Sequence, residues 1–328
     1  MKNFEFSRRA LSAAVAAALL TACALRQGQE LPSNVAAPGG SAQADAGNAN
    51  KFLLYVSNGD GIVNVYRYWQ HVLVAELINF TQPEGECADA NGNVYIADYG
   101  AGAIDEYAHG GKAPLRVIDT SPYKPYGCAV NLKNGNLAVA NYSQSSYYSQ
   151  GNVAVYARAK GKPTYYSNKD LYHVNAVAYD KYGDLLATGF YLYSSYYLYT
   201  NFAYLPAKSK NYQEIQLPSP NGSGWYQWSV QGLGWDGEYW VVESYDNIYQ
   251  YSINIKPELV GTVPLDGDAG PVTFYFADPK NEATNAAGGG SGSDGVLYFW
   301  KYPAGGEPYA KVTHGLDRPF GVALSVGK

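Results

Sequence analysis

Histidine is scarce in this 328-residue chain, with His71, His109, His173 and His314 the only four. A zinc centre built from several histidines is therefore not expected, because such sites draw most of their ligands from histidine and cysteine. No HExxH, no GxxxxGK[ST], no CxxC pair and no GxSxG elbow occurs. The usual signatures of zinc proteases, P-loop hydrolases, dithiol redox proteins and α/β-hydrolases are absent with them. Gly100 and Gly102 stand between two apolar strand-like runs, so they serve a hairpin and not a helix that could cradle phosphate. Helical periodicity is missing beyond residue 50, which leaves strands to build the body. Basic charge is in deficit as well. The net charge of −5 argues against nucleic acid as the main partner.

What is present begins with an export signal. Lys2, Arg8 and Arg9 precede an apolar run, Ala10 to Leu20, which is too short to remain in a bilayer as a permanent helix. Leu20-Thr21-Ala22-Cys23 resembles the lipobox of bacterial lipoproteins. That resemblance implies removal of residues 1–22 and a lipid on Cys23, hence a membrane partner. Ala24 supplies no acidic retention signal, so the expected destination is the outer membrane of a Gram-negative bacterium. Residues 23–50 are rich in Ala, Gly, Gln, Asn and Pro, cannot repay the entropy of ordering, and read as a flexible tether.

Self-similarity organises the remainder. PEGECADANGNVYIADYGAGAIDEYAHGGKAP from Pro83, and PYGCAVNLKNGNLAVANY from Pro125 with GNVAVYARAKGKP from Gly151, are one unit written twice. Each enters through Pro-x-Gly, runs a short strand to Asp or Asn, and turns at Gly-Asn into an apolar strand; a third strand then ends in Tyr before a Gly-containing hairpin. Alternating apolar residues between such turns favour strands. The end of the first strand recurs at Asp89, Asn131, Asp180, Asp236, Asp278 and Ser325, and the third-strand tyrosine at Tyr66, Tyr107, Tyr156, Tyr204, Tyr251 and Tyr302. Their spacing of roughly forty to fifty-five residues is that of four-stranded propeller blades. FLLYVSN from Phe52 is a second strand without a first, and PFGVALS from Pro319 is a first strand without a second. The expected body over residues 51–328 is all-β, a six-bladed β-propeller closed by its N- and C-terminal strands in one blade. After Asp278 the sixth copy reads PKNEATNAAGGGSGSDG, so its second strand is expected to be short, irregular or replaced by a loop.

Pro-x-Gly-x-x-x-Asp followed by Gly-Asn and an apolar strand resembles the NHL and YncE-like class of six-bladed propellers. With GCAV, GNLAVAN, WDGEYW and KYPAGG the chain is similar to a group of exported bacterial propeller proteins. The resemblance implies a fold and leaves the activity open.

The repeat also sorts residues between the two faces of the disc. Connections from second to third strand, and from one blade to the next, share a face that collects Tyr142, Tyr147 and Trp225 together with the run YLYSSYYLY, which contains Tyr193, Tyr196 and Tyr197. Tyrosine offers a flat apolar body with a polar tip, so these are candidates for contact with a sugar, a peptide or another protein. A local hydrophobic cover or an enlarged hairpin is the structural alternative for the run. The opposite face collects lysines such as Lys112, Lys133 and Lys181. These are solvated turns or a surface for an anionic partner.

Residues flanking the Pro position should ring the mouth of the central channel, and the ligand candidates there are Glu84, Lys124, Tyr126, His173, Asn175, Gln231 and Arg318. Propeller lactonases of the gluconolactonase and regucalcin kind hold a divalent metal at this place with Glu, Asn and Asp. Glu84 and Asn175, with Glu86 near, would be the ligands here, while Lys124, His173 and Arg318 would repel a cation and favour a carboxylate. Cys87 and Cys128 fall on neighbouring inner strands with opposite parity, which makes them a disulfide candidate against two buried thiols. The preferred reading is a lipid-anchored, non-catalytic binding module without a cofactor, taking an envelope carbohydrate, peptide or protein. A metal-dependent lactonase or lyase and a structural surface protein are the alternatives.

Overall fold

The apolar second strand of each repeat has no polar side to give to water, so it must be covered on both faces. In the computed structural model this is how the chain is built. The structure describes residues 50–143, 150–167, 169, 171–194, 197–222, 224–225, 230, 232–244, 247–253, 256–266, 285–289 and 295–328, with backbone alone for 191–194, 197–198 and 285–289.

Strands β1 (Phe52–Asn58), β2 (Val63–Arg67) and β3 (Val72–Leu77) open the ring. Blade 2 follows as β4 (Pro83–Ala88), β5 (Val94–Asp98), β6 (Ala103–Tyr107) and β7 (Pro114–Asp119). Blade 3 is β8 (Tyr123–Val130), β9 (Leu137–Ser143), β10 (Asn152–Tyr156) and β11 (Thr164–Tyr166). In blade 4, β12 (His173–Tyr179) and β15 (Gln213–Ile215) flank the long pair β13 (Leu185–Ser194) and β14 (Tyr197–Leu205). Blade 5 comprises β16 (Gly232–Trp235), β17 (Trp240–Ser244), β18 (Asn247–Ile253) and β19 (Pro257–Pro264). A three-stranded sheet comes next, made of β20 (Asn285–Gly289), β21 (Leu297–Lys301) and β22 (Ala310–Val312). The last strand, β23 (Pro319–Val326), pairs antiparallel with β1 and completes blade 1 in the order β23-β1-β2-β3. The chain is an all-β propeller whose terminal strands share a sheet. The Gly-rich segment after the sixth first-strand position does yield a strand, a five-residue one that pairs with β21.

Alternate residues of each second strand feed opposite interfaces. Leu53 and Tyr55 of β1 pack toward blade 2, while Leu54 and Val56 join Leu297 and Phe299 of the three-stranded sheet. Among the described residues six such apolar clusters lie between successive sheets, so the core is a ring of interfaces. Outer strands reverse the pattern: β3 alternates exposed and half-buried residues because one edge meets solvent.

The polar end of the first strand caps its own turn. Asp89 Oδ1 accepts from the backbone N–H of Asn91 and Asn93, Asp180 Oδ1 from Tyr182, Gly183 and Asp184, and Asp236 Oδ1 from Glu238 and Tyr239. These are Asx turns, which is why the repeat ends that strand in Asp or Asn. Ser325, where no turn follows, instead donates to the Gly92 carbonyl of blade 2.

The glycine of Pro-x-Gly answers to close approach between inner strands. A Cβ on Gly321 would fall 2.3 Å from the Glu84 carbonyl oxygen, one on Gly85 2.8 Å from that of Tyr126, and one on Gly127 2.9 Å from that of Asn175. Backbone touches backbone from β23 to β4 to β8 to β12, and no larger residue fits.

Contacts fix which connections share a face. Lys124, at the entry to blade 3, reaches the Gly100 carbonyl between β5 and β6, and the Gly59 N–H between β1 and β2 donates to Asp317 before β23. These connections form the upper face. First-to-second turns and third-to-fourth hairpins meet on the lower face, as Arg158 N–H to Asn136 and Ala207 N–H to Asp184 show.

Candidate functional site

Four inner strands carry a β-bulge at the same place. Register slips by one residue between Pro83 and Glu86, between Pro125 and Gly127, between Val174 and Ala176, and where Pro319 and Gly321 face Asn58 and Ser57. The extra residue falls at Glu84–Gly85, Tyr126, Asn175 and Phe320. A bulge takes a residue out of the ladder and re-aims its side chain. These residues sit at one level of the inner strands, which encircle the axis. Sequence reading placed Glu84, Tyr126 and Asn175 at this mouth; the bulge is the physical meaning of the x in Pro-x-Gly. Gln231 lies outside the described residues.

Around Tyr126 the aromatics form a packed group spanning blades 2 to 4. Tyr126 lies flat on Tyr142, with centroids 4.7 Å apart and planes 5° from parallel. Tyr99 meets both edge-on at 6.2 and 5.8 Å, and His173 meets Tyr142 at 4.4 Å. Lys124 donates to the Gly100 carbonyl at 2.7 Å and holds its ammonium 5.8 Å from the Tyr99 ring centroid. Tyr99 and Tyr126 are half-buried, whereas Tyr142 and His173 are buried. Glu84 is 3 % exposed and accepts from Gln82 Nε2 at 2.7 Å. Burial pushes its carboxyl up to about 7, against the opposing hydrogen bond from Gln82. Near neutral pH it is therefore both donor and acceptor. The Tyr126 phenol is raised too, first by burial and then by the Glu84 charge. Asn175 donates to the Val230 carbonyl at 3.4 Å, and its buried Oδ1 has no partner among the described residues.

Several sequence expectations need correction. His173 is a strand residue wedged between Tyr142 and Phe190 and does not line an open mouth. Arg318 turns outward onto the Gly59 carbonyl and Asp317, so it does not converge with Lys124 and His173 as a cationic trio. Trp225 is core: its indole donates to the Leu217 carbonyl at 3.0 Å, and it packs on Phe202, Tyr249 and Tyr251. Tyr142 is likewise covered and supports Tyr126 from beneath. Among the described residues no three His, Cys, Asp or Glu side chains come together as a metal would require.

The tyrosine run is an extended hairpin. Tyr191 pairs with Tyr199, Leu192 with Leu198 and Ser194 with Tyr197, in strands longer than those of the other blades. Tyr193 and Tyr197 are placed by backbone, and Tyr196 and Tyr147 lie outside the described residues. Cys23 does too. Cys87 and Cys128 are joined in a disulfide between β4 and β8, with Cα atoms 5.6 Å apart. Gln82 and Tyr99 join the group at the mouth, while Glu86, expected near Glu84, is buried at the seam with blade 1, its Oε1 accepting from Ser57 Oγ at 2.6 Å.

No protein-family model matches the chain, and no curated protein matches it in sequence. Solved structures do match in shape. A chain from a nidogen/laminin complex aligns with a TM-score of 0.61 at 12% identity, covering 84% of this chain and 99% of that one. Hydrazine synthase of Kuenenia stuttgartiensis gives 0.58 at 16%, covering 77% and 81%, and the WD40 repeats of RRP9 give 0.52 at 8%, covering 84% and 76%. At such identities the likeness is one of fold, the β-propeller.

Proposed function

We propose that this protein is an exported, lipid-anchored propeller of the NHL and YncE-like class that acts as a non-catalytic binding module through the aromatic mouth of its upper face. In this reading the three-stranded sheet is the sixth blade. Lipid on Cys23 holds the protein at the outer membrane. The ligand is an envelope carbohydrate, with a peptide or a partner protein as the next choice.

The supporting observation is the level of bulge residues where Tyr126, backed by Tyr142 and edged by Tyr99, stands beside the carboxyl of Glu84. A flat ring held from beneath stacks on a sugar face with little entropy to lose. A carboxyl that keeps its proton near pH 7 both donates to and accepts from hydroxyls. Isothermal titration with peptidoglycan and lipopolysaccharide oligosaccharides tests this. Tyr126→Ala and Glu84→Gln should each weaken binding by roughly tenfold or more. Binding that survives both, or none to any glycan or peptide, would remove the proposal. Mass spectrometry of the membrane-extracted N-terminus tests the lipid at Cys23 separately.

One observation favours the metal-dependent lactonase or lyase alternative, the unpartnered Asn175 Oδ1 at the same level as Glu84. An ion retained through dialysis and lost on Glu84→Ala would move the function to that class.

A further inference from the structure

The lower face has a polarity of its own. Its exposed cations are densest on blades 2 to 4, with Lys112 and Lys160 in third-to-fourth hairpins, Lys133 and Lys181 in first-to-second turns, and Lys208 after β14, while Lys256 and Lys301 lie further round the ring. The acids of the same turns face inward: Asp89 and Asp180 accept from their own backbone, and Asp184 accepts from the Ala207 N–H and the Tyr204 phenol. Of these blades' described acids, the exposed ones are Asp119 and Glu214, on outer strands β7 and β15. A chain of net charge −5 thus presents a cationic sector.

Two apolar side chains project from the middle of that sector. Tyr182 is 64% exposed and Leu132 is 61% exposed, more than the other exposed large hydrophobics among the described residues. They occupy equivalent turns of neighbouring blades, each beside a lysine. The Lys133 and Lys181 ammonium groups lie 5.8 and 5.2 Å from the Tyr182 ring centroid. Apolar tips ringed by lysine suit the boundary between lipid headgroups and acyl chains, where tyrosine is at home and long cationic side chains reach phosphate.

The chain enters the propeller on this same face. Asn50 is pinned to the lower face: His109 Nε2 donates to its carbonyl at 2.6 Å, and Arg67 Nε donates to its Oδ1 at 2.9 Å. Lys51 O accepts from Gly327 N–H beside it. A flexible tether tied to a membrane at residue 23 permits this face to lie on the bilayer with the aromatic mouth turned away.

We infer that the lower face of blades 2 to 4 is a peripheral docking surface for anionic phospholipid headgroups, with Leu132 and Tyr182 as its apolar tips. Its orienting role rests on the lipid anchor proposed at Cys23, while its affinity for lipid does not. Lipid would supply the attachment and the face its orientation. The aromatic mouth then looks away from the bilayer.

Vesicle co-sedimentation of the chain from residue 23 onward, carrying Cys23→Ser, separates the two ideas. Binding is expected to vesicles in which about a third of the lipid is phosphatidylglycerol, to fall with salt, and to be absent on pure phosphatidylcholine. Each removed lysine should cost roughly fivefold in partitioning, so Lys133→Glu with Lys181→Glu should cost at least about twenty-fivefold. Leu132→Ser with Tyr182→Ser should weaken binding without changing its salt dependence. All four positions are exposed, so unchanged melting temperatures are expected for the variants. No binding to anionic vesicles, equal binding to neutral ones, or indifference to the double charge reversal would overturn the inference. A lipid-free Cys23 in the native protein would remove the anchor and leave these results standing.

Discussion

Ser57 Oγ donates to Glu86 Oε1 at 2.6 Å, from the second strand of blade 1 to the inner strand of blade 2. Both residues are buried, and Glu86 Oε2 finds no partner among the described residues. One hydrogen bond does not offset the desolvation of a carboxylate, so Glu86 is held well above the ordinary range by burial. A charge at this seam would open it.

That seam gives the protein a stability that declines with rising pH. Glu84 moves from 4.5 to about 7 and Asp105 from 3.8 to about 6, both chiefly by burial. The folded state keeps protons that the unfolded chain releases, so the stabilisation is whole below the unfolded carboxyl values and is lost as pH rises through the folded ones. The melting temperature should fall between pH 5 and pH 8, with Glu84 alone contributing on the order of 2 to 4 kcal/mol. Glu84→Gln should flatten the profile and raise stability at pH 8. A melting temperature that rises across this window would contradict the account.

The disulfide ties blades 2 and 3 at the axis. Its loop of 41 residues sets an entropic contribution of about 4 kcal/mol at most. Reduction, or Cys87→Ser with Cys128→Ser, should lower the denaturation midpoint while leaving the propeller folded. Unchanged midpoints with and without reductant would show the bond to be thermodynamically idle.

Gly85 carries the closest test of inner-strand packing. An added methyl would meet the Tyr126 carbonyl oxygen at 2.8 Å and the Gly127 Cα at 2.9 Å. Neither is a flexible side-chain tip, so Gly85→Ala should cost about 1–3 kcal/mol in chemical denaturation. A neutral substitution there would mean that the inner strands are free to separate.

Trp225 and Tyr126 should part company under mutation. Trp225→Ala removes a buried indole from the interface of blades 4 and 5 and should cost about 3–5 kcal/mol of folding stability. Tyr126→Ala should leave the melting temperature much closer to wild type and lower ligand affinity. Loss of binding in a fully stable Trp225→Ala protein would return that residue to the surface.

The repeat, the strand order and the shared terminal blade were legible in the sequence because each follows from local chemistry. Asp89, Asn131, Asp180 and Asp236 end their strands as turn caps, and Pro-x-Gly marks a bulge followed by a close approach. These constraints act within a few residues, so they leave a pattern in the chain itself. Which aromatic is buried is settled by neighbours far along the chain. Tyr142 is covered by Tyr126 and His173, Trp225 by Phe202 and Tyr251, and nothing in their own segments distinguishes them from Tyr99. Arg318 is drawn to Gly59, 259 residues away, because the ring closes there. The sequence determined the strand order of the repeat and the two faces; only tertiary packing decided which residues of those faces meet solvent, because burial depends on the whole ring.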